Sequence, residues 1–208
     1  MPESARNATR RRHEIAVRGR IWCVLLLAGA ASLPVHAEET PVDERVHVFE
    51  VVVGGEPQAV LSFLPPDHVF ANGLAADAII GSMKTPVAAG GGVTPDNVAV
   101  NPGFVAFLHA FIARTVPTDP GFQRAVADQQ DGWVYIIDRR TPTPGGKVPA
   151  EDILGGFEVR QKALVPDSYR PIRAHRIVSE RGVVRLDDFL HPRLVEALKQ
   201  LEAPQGRR

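Results

Sequence analysis

The sequence predicts a mixed α+β fold in a single domain, and three observations support this class. Val46–Val53 is rich in β-branched residues, which is typical of a strand. Apolar residues recur at helical spacing between Phe104 and Ile112. A second strand-like run, Trp133–Ile137, follows that helix, and the chain contains no internal repeat or coiled-coil pattern. Strands and helices are therefore expected around one core.

Residues 1–37 have the pattern of a secretory signal peptide. An arginine-rich start precedes the apolar run Ile21–Leu33, and Val35–Ala37 is a small-residue cleavage pattern. The apolar run has 13 residues, fewer than the roughly 20 that a membrane span needs. We expect cleavage after Ala37, export to the periplasm or outside the cell, and no membrane span afterwards. An uncleaved anchor is the alternative.

Cleavage changes the composition of the chain that remains, residues 38–208. The leader removes six arginines and two glutamates from 24 basic and 24 acidic residues, so 18 and 22 are left and the formal charge becomes −4. This balance argues against generic attraction to nucleic acid. The single cysteine, Cys23, also leaves, so no disulfide is expected. The domain must be stabilised by its core alone.

The first part of the domain is predicted to be a strand pair followed by a short helix. Gly54 and Gly55 allow a turn from Val46–Val53 into Ala59–Phe63. Two separate strands with other partners are the alternative. Asp67 is expected to cap the next helix, with Val69 and Phe70 pointing inward.

Two further helices carry the same start signal, a capping side chain followed by proline. Asn101-Pro102 begins the first and Asp119-Pro120 the second, which runs to Gln129. A terminal helix is expected from Pro192 to Leu201, with leucines on one face.

The segment from Asp131 to Val159 is predicted to form the centre of the fold. The strand Trp133–Ile137 is followed by a Pro-Gly-Gly break and one helical turn, and a second strand ends at Val159. Glu151 and Asp152 are explained as favourable partners of the turn's positive end.

Four short segments, taken in order, resemble the secreted ADP-ribosyltransferase toxin A chains of the cholera and pertussis type. That family carries an Arg-Pro-Pro-acid motif ending in Asn-Gly, a Ser-Thr-Ser strand before a helix, a Gly-Tyr-Ile-Tyr-type strand and an Ile-Pro-Pro-Glu-x-Ile turn. The corresponding segments here are Leu64–Leu74, Val98–Pro102, Gly132–Ile136 and Val148–Ile153.

The resemblance implies an ADP-ribosyltransferase fold, with strands around a cleft and flanking helices, and NAD as the cofactor. NAD would bind between the Ala59–Leu74 segment and the strand pair of 131–159. The cofactor-binding positions that it implies are Val60, Asn101 and Tyr135.

The sequence departs from the family at its usual catalytic positions. The arginine that fixes the NAD phosphate corresponds to Val60, and Ser-Thr-Ser corresponds to Ala99–Asn101. The family's Glu-x-Glu falls near Arg139–Thr141, and guanidinium groups there would oppose a positively charged transition state. The resemblance therefore implies a divergent or catalytically silent protein. If active, it would be an ADP-ribosyltransferase or an NAD glycohydrolase.

Asp138 is the candidate catalytic carboxylate, because it is the acidic residue nearest to the position of the lost Glu-x-Glu. The alternative is a solvated acid at a strand end, paired with Arg139 or Arg140. Trp133 and Tyr135 share one face of their strand, where core packing is favoured over ligand contact.

A basic cluster provides the second functional hypothesis, a non-catalytic secreted protein that binds an anion or a protein partner. The Gly-rich loop 84–97 is the other candidate binding element. A solvated, salt-bridged surface is the alternative for the basic cluster. No metal site is expected, because the five histidines after the leader lack close ligand spacing. The cluster comprises Arg170, Arg173, His175 and Arg176.

Overall fold

The computed structural model describes residues 15–17, 44–53, 55–142 and 147–202. Most of the predicted signal peptide therefore lies outside the described residues, as does the Pro-Gly-Gly break. The described part contains four α-helices and eleven β-strands. The fold is α+β, as the sequence predicts.

The first sheet has five antiparallel strands in sequence order. The pairing of β2 with β3 runs from His47↔Ser62 to Val53↔Glu56, which confirms the predicted strand pair. β1 lies within residues 1–37, the predicted leader, and pairs with the end of β2. The strands are β1 Ile15–Val17, β2 His47–Val53, β3 Glu56–Ser62, β4 Gly81–Met83 and β5 Val98–Val100.

The second sheet contains the two strands that were predicted to form the centre of the fold, but β6 lies at the edge of this sheet. β6 pairs antiparallel with β7 from Asp131↔Arg160 to Ile137↔Ile153, with an irregularity at Ile136/Ile137. The other edge of β7 pairs with the short strands β8 and β9, and β10 and β11 form a separate hairpin. These strands are β6 Asp131–Ile137, β7 Ile153–Arg160, β8 Ala163–Leu164, β9 Arg170–Pro171, β10 Val178–Ser179 and β11 Gly182–Val183.

Both predicted proline-started helices are confirmed. The Asn101 side chain accepts a 2.9 Å hydrogen bond from the Gly103 amide, and Asp119 accepts one of 2.8 Å from the Gly121 amide. These bonds satisfy amide groups that the helix itself leaves unpaired. The helices are α1 Pro66–Asn72, α2 Pro102–Thr115, α3 Pro120–Asp128 and α4 Leu190–Lys199.

The short helix α1 differs from the prediction at two residues. Its N-cap is Pro65, and Asp67 lies in the first turn without a capping bond. Val69 is buried as predicted, but Phe70 is 44% exposed, so the prediction that it points inward was wrong. Neighbouring helical residues lie about 100° apart, and the face of α1 that meets the core carries Val69 rather than Phe70.

The buried apolar side chains form one cluster to which both sheets and all four helices contribute. α2 packs on α4, and the most deeply buried residues include Leu61, Phe104, Leu108, Leu154 and Leu194. Within the described ranges, no helix is long and apolar enough to cross a membrane.

Candidate functional site

A cluster of buried charged side chains lies just beyond the end of β6. The Arg140 side chain is 2% exposed and forms two 3.0 Å ion pairs, from Nη2 to Asp138 Oδ2 and from Nε to Asp152 Oδ1. Both carboxylates are fully buried. One guanidinium therefore compensates two carboxylates in a region that excludes water.

The same guanidinium also binds backbone carbonyl groups from two distant segments. Nη1 donates to Gly182 O at 3.0 Å, and Nη2 donates to Glu151 O at 3.3 Å and to Arg176 O. A fourth, longer bond of 3.4 Å joins Nη1 to Ile177 O. Arg140 thus holds the turn before β7 against the segment that contains β10 and β11.

Asp138 has both carboxylate oxygens occupied. Oδ1 accepts hydrogen bonds from the amides of Arg140 (3.0 Å) and Arg185 (2.9 Å), while Oδ2 contacts Arg140 and His175 Nε2, the latter at 3.3 Å. The alternative given for Asp138 was a solvated acid at the strand end, paired with Arg139 or Arg140, and the ion pair with Arg140 confirms the pairing. The other part was wrong, because Asp138 is fully buried rather than solvated at the strand end.

Asp152 corrects a second interpretation. The sequence explained it as a dipole partner of the short turn, which the structure forms as the 3₁₀ turn Ala150–Asp152. Its side chain is instead a buried partner of Arg140. Asp152 Oδ2 makes no hydrogen bond among the described residues and lies 3.7 Å from Arg181 Nη1.

Next to this cluster is a half-open cavity of about 760 Å³. It lies between β5, the first half of α2 and the segment 172–181. Its apolar lining on the β5–α2 side consists of Pro95, Val98, Val100 and Val105. Its polar lining consists of His109, Glu151, His175, Arg176, Ser179, Glu180 and Arg181.

Each of the two histidines in the polar lining is bonded through one ring nitrogen. His109 Nδ1 lies 2.9 Å from the Tyr169 hydroxyl, and His175 Nε2 contacts Asp138. Burial raises the pKa of Tyr169, so its hydroxyl stays protonated and can donate to Nδ1. Burial lowers the pKa of His109, and the nearby His175 lowers it further. His109 is therefore neutral near pH 7, with Nδ1 as the acceptor.

The two arginines of the polar lining differ in how many bonds their side chains make to other protein groups. Arg181 Nη1 donates to Glu151 Oε1 at 3.2 Å and to Thr141 Oγ1 at 3.3 Å, yet the side chain remains 48% exposed. Arg176 is exposed, and within the described part of the chain only its backbone makes recorded bonds. The Arg176 guanidinium is thus the cation that a ligand in the cavity can reach with the least rearrangement.

The three cofactor positions implied by the resemblance do not line this cavity. Val60 is 2% exposed in β3 and belongs to the core. Asn101 caps α2, and its amide donates to Ala76 O and Ile79 O, each at 2.8 Å. Tyr135 is on β6 and is 50% exposed.

The predicted basic cluster is divided by the fold. His175 and Arg176 line the cavity, whereas Arg170 and Arg173 are exposed elsewhere on the surface. Of the predicted NAD cleft, the 131–159 pair contributes only Glu151 to this lining. Within the described residues, no group of three or more His, Cys, Asp or Glu side chains could hold a metal ion.

Sequence reasoning missed the buried role of Arg140 and the contribution of Glu180 and Arg181 to the cavity. No motif marks these residues. Apart from Asp138, the partners of the Arg140 guanidinium lie 11 to 42 positions away, and Arg181 donates to residues 30 and 40 positions away. Pro95, from the Gly-rich loop 84–97, also borders the cavity. The loop itself is ordered by Asn97, whose side chain bonds to Thr85 and to Gly92 O.

The fold and the site together define an α+β protein with a half-open cavity that is apolar on one side and rich in His and Arg on the other. No family model matches the sequence, and comparisons with curated proteins and with solved structures found no match either.

Proposed function

We propose that the protein is an exported, ADP-ribosyltransferase-like binding protein that holds a small anionic ligand in the cavity without the usual ADP-ribosyl transfer. The observation that carries this proposal is the composition of the cavity. Apolar side chains from β5 and α2 can pack against a ring or chain, while Arg176 and Arg181 can bind a phosphate or carboxylate group.

The position of two motif segments supports NAD as the first ligand to test. Val100 belongs to the segment similar to Ser-Thr-Ser, and Glu151 belongs to the segment similar to the Ile-Pro-Pro-Glu-x-Ile turn. Both residues line the same cavity. Val60 pairs with Ser82, which in turn pairs with Ala99, so the position of the family's phosphate-binding arginine is two strands from β5.

The surroundings of the buried carboxylates support a lack of the usual catalysis. An oxocarbenium-like transition state needs an uncompensated carboxylate close to the reacting carbon. Asp138 and Asp152 both bind Arg140, and neither lines the cavity. Thr141, at the position implied for Glu-x-Glu, offers only a neutral hydroxyl, which binds Arg181.

Calorimetric titration of the exported protein with NAD, ADP-ribose and inorganic phosphate tests this proposal. Replacing one charge-assisted contact costs about 1.5–3 kcal/mol, so Arg176→Ala is expected to weaken binding roughly tenfold or more. Arg173→Ala is the matched control, because Arg173 is exposed in the same segment but does not line the cavity. No binding of any of the three ligands would contradict the proposal.

A second candidate, an NAD-cleaving hydrolase, is favoured by one observation. Asp138 Oδ2 is buried and lies 3.3 Å from His175 Nε2, and a carboxylate bonded to one ring nitrogen orients a histidine to act as a general base through the other. His175 would accept a proton from a water that attacks the ribose C1′, so that nicotinamide leaves and ADP-ribose forms. Nicotinamide release that is lost in His175→Gln would support this candidate. Binding of NAD without release would support the first.

A further inference from the structure

β6 is an edge strand whose outer side has no partner in the described part of the chain. It pairs only with β7. From Gly132 to Ile137, its recorded backbone hydrogen bonds all belong to that ladder, and no described side chain bonds to this stretch. An unpaired edge presents amide and carbonyl groups that can add a further strand.

This edge lacks the features that usually prevent strand addition. The sequence from Gly132 to Ile137 contains no proline and no charged residue. The only irregularity in its pairing occurs at the end of the strand, between Ile136 and Ile137. Gly132 has a positive φ of 118°, so the regular, uncharged edge consists of the four residues from Trp133 to Ile136.

Two large aromatic side chains lie on the solvent face beside this edge. Trp133 is 39% and Tyr135 50% exposed, which contradicts the core packing favoured from the sequence. Both rings lie close to Gly156 of β7, where an added Cβ would be 3.0 Å from Tyr135 and 3.2 Å from Trp133. The rings thus rest on the sheet, and their remaining surface faces solvent. Exposed aromatic residues are typical of the centre of protein interfaces.

We propose that two copies of this chain associate through β6, antiparallel, with the two-fold axis at Val134. In this register Trp133 of each copy lies opposite Tyr135 of the other, so four aromatic rings meet on one face of a continuous sheet. Asp131 lies opposite Ile137 of the other copy rather than opposite a second Asp131. Gly132 lies opposite Ile136.

The self-complementary pattern favours a second copy over an unrelated strand. A two-fold interface uses the same patch on both copies, so each contact between two residues occurs twice, once on each side of the axis. Here the central residue is apolar, the residues on either side are aromatic, and no like charges meet. This interface is separate from the cavity and does not depend on the proposed ligand.

Sedimentation equilibrium on the exported protein between about 1 μM and about 1 mM tests the association, since this range covers weak interfaces. The wild type is expected to show the mass of a dimer at the upper end. The double variant Trp133→Lys, Tyr135→Lys is expected to stay monomeric, because it places charge beside the edge. Val87→Lys is the control, since Val87 is 45% exposed and lies outside β6.

Cysteine crosslinking of the exported protein then tests the register, because the one cysteine of the sequence, Cys23, lies in the predicted leader and no other thiol is expected. Directly paired strand residues have Cα atoms about 4.5–5.5 Å apart, within the range of a disulfide. A mixture of Trp133→Cys and Tyr135→Cys proteins should form a crosslinked dimer under mild oxidation. Either variant alone should not, because identical positions are two residues out of register.

Three results would overturn the proposal. These are a wild-type monomer at every concentration, a dimer that persists in the double lysine variant, and crosslinking of one cysteine variant alone but not of the mixture. Circular dichroism that matches the wild type shows that the double variant is folded, so its monomeric mass reports on the interface.

Discussion

The first sheet and the end of β6 are stabilised by different means. Between β2 and α3 the interior is almost entirely apolar, and the one buried polar residue described there is Ser62. Beyond β6, the buried residues include Asp138, Asp152, Ser168 and Ser179, together with the Arg140 and His175 side chains, which are 2% and 3% exposed.

This difference determines how the stability of each region responds to substitution. An apolar core loses stability gradually as its side chains are made smaller, because each atom contributes a small contact energy. A buried ionic cluster fails in one step, because removal of one member leaves the others charged and without partners. The cavity lies beside the second kind of interior, so its polar lining depends on a few specific pairs.

Replacing Arg140 should have the largest effect on this comparison. Arg140→Met keeps most of the side chain's length but leaves Asp138 and Asp152 buried without their cation. Breaking a buried pair in this way costs about 3–5 kcal/mol. Urea unfolding followed by circular dichroism measures the change.

Arg139→Met is the matched control for Arg140, since Arg139 is the adjacent arginine but is exposed. Its cost should stay within about 0.5 kcal/mol, as for other surface substitutions. Equal losses in both variants would show that the ionic cluster does not stabilise the second half of the fold.

Ser62→Ala should have an intermediate effect, because it tests the single buried polar group of the first region. Ser62 Oγ donates to Ala78 O at 2.8 Å and accepts from the Leu64 amide at 3.1 Å. Its removal leaves both backbone groups unsatisfied, at a cost of about 1–3 kcal/mol. Ser82→Ala, on the neighbouring strand at a partly exposed position, is the control in the same unfolding assay. A loss no larger than that of the control would contradict the prediction.

Acidification should have the smallest effect, and it involves two histidines of the first region, of which His109 also lines the cavity. Burial lowers the pKa of His47 in β2, an effect that Asp67 partly opposes, and burial also lowers the pKa of His109 in α2. Below the unfolded-state pKa of about 6.5, the unfolded chain therefore binds more protons than the folded one. Stability is expected to fall as the pH decreases through that window.

Unfolding midpoints measured from about pH 8 to about pH 5 check this pH dependence. His47→Gln and His109→Gln should each reduce the slope, and the double variant should reduce it most. A stability that rises on acidification in the wild type, or a slope unchanged in both variants, would contradict the assignment.

Elements set by local physics could be predicted from the sequence. The helix starts at Asn101-Pro102 and Asp119-Pro120 depend on residues that are adjacent in the chain, and both are confirmed. The pairing of β2 with β3 needs only two strand-forming runs and a Gly-Gly turn. The general class, α+β, follows from these elements.

Features set by distant contacts could not be predicted. Alternation along Trp133–Ile137 shows which residues share a face, but it does not show which face meets the core. Trp133 and Tyr135 were therefore assigned to the wrong side. The burial of Arg140 likewise has no local signal, because its partners other than Asp138, such as Gly182, come from segments that only the fold brings together.

One glycine connects the second sheet to the cavity. At Gly155 of β7, an added Cβ would come within 2.5 Å of the Tyr169 ring, and that ring's hydroxyl holds His109. Any larger residue at position 155 would push the tyrosine aside and release the imidazole that it orients. The chemistry available to a bound molecule is thus fixed in part by a strand position that never touches it. A substitution at this glycine would therefore change the orientation of His109 in the cavity while leaving every lining residue unchanged.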